Sequence, residues 1–167
     1  MTSRDITLPA TLAQMLPRVD PAFLWTMLVA GGLATLAFDI YGQSISPMLG
    51  GARLAPVPLA NAVIAALTGA PYGPAAHGLH YIAGLIAYPL GWMLIARPVW
   101  QRVAPSLHWS LPAAAYGVAL WVFALFGMAH LIAGMPAFLG FTGITWVALA
   151  GHVLFALVVA AITERRS

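Results

Sequence analysis

The chain has 167 residues, about one domain's length, of which 62% are hydrophobic and only 7% charged. Soluble domains carry about 25% charged residues, so this composition argues against a soluble enzyme, and its apolar richness argues against a disordered tail. The net charge of +3 comes from seven arginines scattered along the chain, which make no basic stripe for nucleic acid, and the lack of cysteine removes disulfides, thiolate metal sites and cysteine nucleophiles.

The first 20 residues hold Arg4, Asp5, Arg18 and Asp20 with prolines at 9 and 17, and have no compact apolar run of the kind a cleavable signal peptide needs. Residues 9–16 suit a short helix on the inner membrane surface, with Leu12, Met15 and Leu16 toward lipid, or else a frayed tail. Four continuous apolar stretches follow, at about residues 23–41, 79–96, 111–135 and 141–163. Each is close to the roughly 20 residues of helix that cross a bilayer core about 30 Å thick. They do not alternate as barrel strands do. The expected fold is therefore all-α: an integral membrane four-helix bundle forming a single transmembrane domain over residues 1–167.

Residues 43–76 form the longest connection. Its first part, with Gly42, Pro47, Gly50 and Gly51, reads as loop; residues 59–67 read as a short interfacial helix between prolines. The middle connection carries Trp100 and Trp109, which suit an aromatic belt at the membrane surface. Arg4, Arg18, Arg97, Arg102, Arg165 and Arg166 fall on one side of the four spans and only Arg53 on the other. The positive-inside rule then puts both termini and the short middle loop in the cytoplasm and residues 43–76 outside. Small residues mark helix contacts: Ala30, Gly31, Gly32 and Ala34 in the first span, Gly84 and Gly91 in the second, Gly117, Ala124 and Gly127 in the third, Ala148, Gly151 and Ala156 in the fourth.

Polar groups inside spans are costly unless paired or hydrated, so they are the places to seek chemistry. With this topology Asp39, His77, His80 and His130 come from three helices to the outer level. His77 and His80 share a helix face. Together the four suit a three-nitrogen, one-oxygen metal site, and His80 with His130 suit a b-type haem. The simpler alternative is interfacial side chains bonded to one another or to loop carbonyls, with Asp39 pairing with a histidine or Arg53. The default is no cofactor; a metal ion or haem b are the candidates. His152 lies about eleven residues into the fourth span, roughly 16 Å deep, and its neighbour Gly151 suggests a ring turned into the bundle. No catalytic residue is assigned: there is no nucleotide fingerprint, no HExxH and no carboxylate pair.

The strings FDIYGQSISPMLG, HGLHYIAGLIAYPLGW, WVFALFGMAHLIAGMPAFLGF and TWVALAGHVLFALVVA resemble those of small four-helix bacterial inner-membrane proteins of unassigned function, over about residues 23–163. The resemblance implies membrane location and a bundle, and carries no activity. The function expected from sequence is a non-catalytic structural, assembly or accessory subunit. Its expected partners are the lipid bilayer and other membrane-protein subunits, and not nucleic acid. The rivals are a metal- or haem-binding membrane protein and a small solute or proton transporter in which Asp39 and His152 belong to a relay.

Overall fold

The computed structural model describes residues 17–166; the surface helix expected at residues 9–16 lies outside them. Helix α1 (Pro21–Met48) begins where Asp20 accepts the Phe23 N–H at 2.8 Å and Pro21 occupies the first helical position. Helix α2 (Pro56–Thr68) is short and ends on Gly69 at φ 84°, a left-handed cap that glycine adopts without strain. Helix α3 spans Gly73–Val103, α4 Ser110–Ile132 and α5 Gly143–Arg165. All four long helices are apolar and long enough to cross a membrane, and there is no strand among the described residues. The chain is an all-α, multi-pass membrane protein.

The structure corrects the expected connection at residues 43–76. Helix α1 continues through Pro47 to Met48 and α3 starts at Gly73, so only residues 49–55 and 69–72 stand outside helices. The helix survives its proline by widening. A proline has no N–H and its ring crowds the carbonyl four residues earlier. Just before Pro47, Pro89 and Pro98 the helix opens to bonds between residues five apart, over Tyr41–Ile45, Ala83–Ala87 and Trp92–Ala96. Ser46 N–H reaches the Tyr41 carbonyl, Tyr88 N–H that of Ala83, and Arg97 N–H that of Trp92. A fourth and longer wide stretch, Phe123–Ile132 in α4, has no such proline to account for it.

Helix α5 is central and packs along both α1 and α4, while α3 packs on α1. Glycines set the closest approaches. A Cβ on Gly117 would lie 2.6 Å from the Val153 Cα, and one on Gly31 would lie 2.5 Å from the Leu85 carbonyl oxygen and 2.8 Å from that of Gly84. Those two carbonyls stand four and five residues before Pro89, whose missing N–H they would otherwise face, and they lie against α1 at Gly31. Gly32, expected on the same contact face, has nothing within 4 Å. At the Arg97 end, Phe23, Met27, Trp92, Phe155 and Val159 form the core. The fully buried Trp92 donates its indole N–H to the Thr163 hydroxyl at 3.0 Å, and Arg97 bonds Glu164 at 2.5 Å, tying the ends of α3 and α5. Trp100 and Trp109 are half-buried and pack on this core, Trp100 against Trp92 with ring centres 6.3 Å apart, so they do not stand only as a surface belt. The outward faces carry large apolar side chains such as Trp25, Leu36, Ile95 and Trp146, as lipid contact requires.

The contrast between adjacent glycines is testable. Gly31→Ala should destabilise the bundle by about 1–3 kcal/mol, the usual cost of overpacking, whereas Gly32→Ala should leave it unchanged. Thermal unfolding of both variants in one detergent measures the difference.

Candidate functional site

Two of the four residues expected at the outer level meet. Asp39 on α1 places Oδ2 3.2 Å from His80 Nε2 on α3, and its Oδ1 accepts the Gln43 amide N–H at 2.9 Å. Gln43 reaches Asp39 because residues four apart share a helix face. The other two residues go elsewhere. His77 is exposed and its ring lies over Tyr81, one turn along α3, with centres 6.4 Å apart. His130, in the last turn of α4, donates Nδ1–H to the Met135 carbonyl at 2.7 Å and so closes the end of its own helix. Helix α2 packs on the segment of α3 that carries His80 and on the segment of α4 that carries His130.

The expected convergence of Asp39, His77, His80 and His130 is therefore reduced to one pair. Among the described residues no three or more histidine, aspartate or glutamate side chains gather in a way that would hold a metal ion. For a bis-histidine haem, no contact joins the His80 and His130 rings, and the His80 nitrogen that would ligate iron faces Asp39.

A cavity of about 300 Å³ opens between α1, α3, α4, α5 and α2, and its walls are almost wholly apolar. His80 is part of the lining; Phe38, Tyr88, Phe123 and Phe155 supply aromatic walls. Ile82 and Phe123 line it and are also 57% and 51% exposed, so the cavity opens to the side of the bundle between α3 and α4. These helices meet nearer the Arg97 end, where the Tyr116 hydroxyl donates to the Tyr88 carbonyl at 2.7 Å. Toward His80 they diverge around α2. The wide turns Ala83–Ala87 and Phe123–Ile132 face each other across this gap and contribute Gly84, Ala87, Phe123 and Met128 to its lining.

His152 is a buried polar group in the cavity wall. It is 7% exposed and turned into the bundle, with its ring edge-on to Phe38 at 5.1 Å. Its Nδ1–H donates to the Ala148 carbonyl, one turn earlier on its own helix, at 2.7 Å. A neutral imidazole carrying its hydrogen on Nδ1 has its lone pair on Nε2, and Nε2 has no partner among the described residues. The Thr35 hydroxyl, also on this wall, is buried without a partner beside Gly84.

The rim of the cavity holds the most strained backbone. Phe138, Leu139 and Phe141 adopt φ of 49°, 54° and 53°, with Gly140 at 71° between them. Left-handed backbone costs a non-glycine residue about 1–2 kcal/mol, so the turn must be held by its surroundings. The Thr145 hydroxyl donates to the Phe138 carbonyl at 2.6 Å and that of Thr142 to the Leu139 carbonyl at 3.2 Å. The Phe138 ring packs on Trp121 at 4.7 Å, while Trp121 donates its indole N–H to the Thr145 carbonyl at 3.0 Å. Leu139, so positioned, lines the cavity. The sequence reading did not find this cavity. The signal within reach is Pro89, inside the second apolar stretch, since the widened turn before it, Ala83–Ala87, contributes to the lining of the cavity.

Thr145→Val should remove the shorter clamp on the turn and cost about 1 kcal/mol, a typical hydrogen bond, with faster amide exchange over residues 137–141. Thr142→Val, which loses a longer and exposed bond, should change both less. Hydrogen exchange with mass spectrometry separates the two.

No family model, no curated protein and no solved structure matches this chain.

Proposed function

We propose that this chain is a non-catalytic accessory subunit of a bacterial inner-membrane complex, whose own contribution is to hold a lipophilic small molecule between its helices. The cavity carries the reading. Its size falls at the lower end of small-molecule sites, about 300–1,000 Å³, and such sites are mostly apolar with a few placed polar groups. Its opening lies on the side of the bundle, between apolar surfaces, where a membrane-dissolved molecule would enter. The arginine balance supports cytoplasmic termini, with Arg97, Arg102, Arg165 and Arg166 at the inner end and Arg53 outside. Exposed aromatic groups such as Trp25 and Trp146 give the outer face contact area for lipid or for a neighbouring subunit.

A second reading, metal or haem b binding, is favoured by the Asp39–His80 pair alone. It requires His77 or His130 to leave its present partner. The transport reading has less support, because Trp92, Phe155 and Val159 fill the bundle between His152 and the Arg97 end.

Purification of the full chain in native lipid discs, followed by mass spectrometry, tests the proposal. The expected result is a small non-phospholipid lipophile at close to one per chain, together with a co-purifying membrane protein. A lone chain carrying only bulk phospholipid would contradict it; a Soret band or stoichiometric metal would favour the second reading.

A further inference from the structure

The polar chemistry of the cavity restricts what would occupy it. His152 offers an acceptor, Nε2, because its other nitrogen is committed to the Ala148 carbonyl. The Tyr88 phenol, on the adjoining wall with its ring centre 6.5 Å from that of His152, likewise has no hydroxyl partner among the described residues. Leaving polar groups without partners beside apolar walls is costly, and apart from Thr35 and His80 the remaining lining is aromatic and aliphatic. Water is a poor tenant, since a buried water typically makes about three hydrogen bonds, and with the Thr35 hydroxyl shut against Gly84 and His80 paired with Asp39 these walls offer it little beyond the two groups. A single hydroxyl on an otherwise apolar molecule fits better: it donates to Nε2 and accepts from Tyr88. The aromatic edges of Phe38, Tyr88 and Phe155, with Tyr88 and Phe155 edge-to-face at 5.7 Å, favour a planar ring as the body carrying that hydroxyl.

We infer that the cavity beside His152 binds a neutral, membrane-soluble aromatic alcohol of the phenol or quinol class, its hydroxyl bonded to the His152 imidazole and its ring between the aromatic walls. Any apolar tail would leave through the gap between α3 and α4. This rests on the ligand-holding function proposed above and names the ligand's chemical class. A donor is essential: ketones and ethers of the same shape present only acceptors to Nε2 and leave that nitrogen unpaired. The site therefore distinguishes a ring hydroxyl from the corresponding carbonyl.

Three two-ring probes test the class on the purified full chain in detergent: 2-naphthol, 2-methoxynaphthalene and 2-acetonaphthone. All three have the same ring, but only the first has a donor. Binding read by intrinsic tryptophan quenching and equilibrium dialysis should give one site, with 2-naphthol about tenfold tighter than the others, as expected for one hydrogen bond to a buried acceptor. His152→Phe should remove that preference, so that 2-naphthol and 2-methoxynaphthalene bind alike, and Tyr88→Phe should reduce it severalfold. Ala87→Trp, which fills the mouth, should weaken all three. Thermal unfolding checks that each variant is folded, and the probe series on the unaltered chain stands even if one is not. Equal affinity for all three probes, lost in Ala87→Trp, would overturn the ligand class and leave the ligand-holding function standing. Binding that Ala87→Trp does not weaken would overturn both.

Discussion

Backbone polar groups inside a bilayer have no water to turn to, and the rest of this structure depends on how the chain meets that constraint. Helices satisfy it within themselves. This chain places prolines inside two of its spans and keeps them helical by widening the preceding turn. At Pro89 the widened turn presses the Gly84 and Leu85 carbonyls toward α1, where only a glycine, Gly31, leaves room. Proline and glycine on different helices thus form one device. The same wide turn, opposite a longer one in α4, leaves α3 and α4 apart over part of their length, and the cavity occupies that space. Widened helical turns often accompany functional sites, and here the connection is geometric.

The fold was largely legible in the sequence. Apolar run length gives the four helices, and the small residues at Gly31, Gly84, Gly117 and Gly151 mark real contacts. Helix ends were less legible. Gly42 and Pro47 read as loop, but a widened turn carries α1 past them, and the Gly42 carbonyl, five residues before Pro47, accepts the Leu54 N–H in place of the one that proline lacks. Gly32 read as part of a contact stripe, yet neighbours on a helix point about 100° apart, and only one of two adjacent glycines meets the partner.

The candidate site was legible by level and not by direction. Arginine placement brings Asp39, His77, His80 and His130 to one end of the bundle, but a shared depth does not set which way a ring turns. His77 lies on an outward face over Tyr81, and His130 closes its own helix through Met135. Only Asp39 and His80 combine, with Gln43 holding the second carboxylate oxygen. His152, singled out by depth and by Gly151, does face inward. Its significance comes from the space beside it, which arises from the divergence of helices distant in sequence. The left-handed turn at residues 138–141 has no sequence signature either, since three of its four residues are not glycine.

The central claim is that α3 and α4 part to leave a ligand-sized volume beside His152, held open by widened turns and a strained rim. An experimental density map of the chain in lipid discs tests it most directly. The account predicts separated helices between Ile82 and Phe123 and non-protein density extending from His152 to the side of the bundle. Helices in contact along their whole length, with Phe123 and Met128 packed onto Ala83 and Ala87 and no volume beside the imidazole, would contradict it.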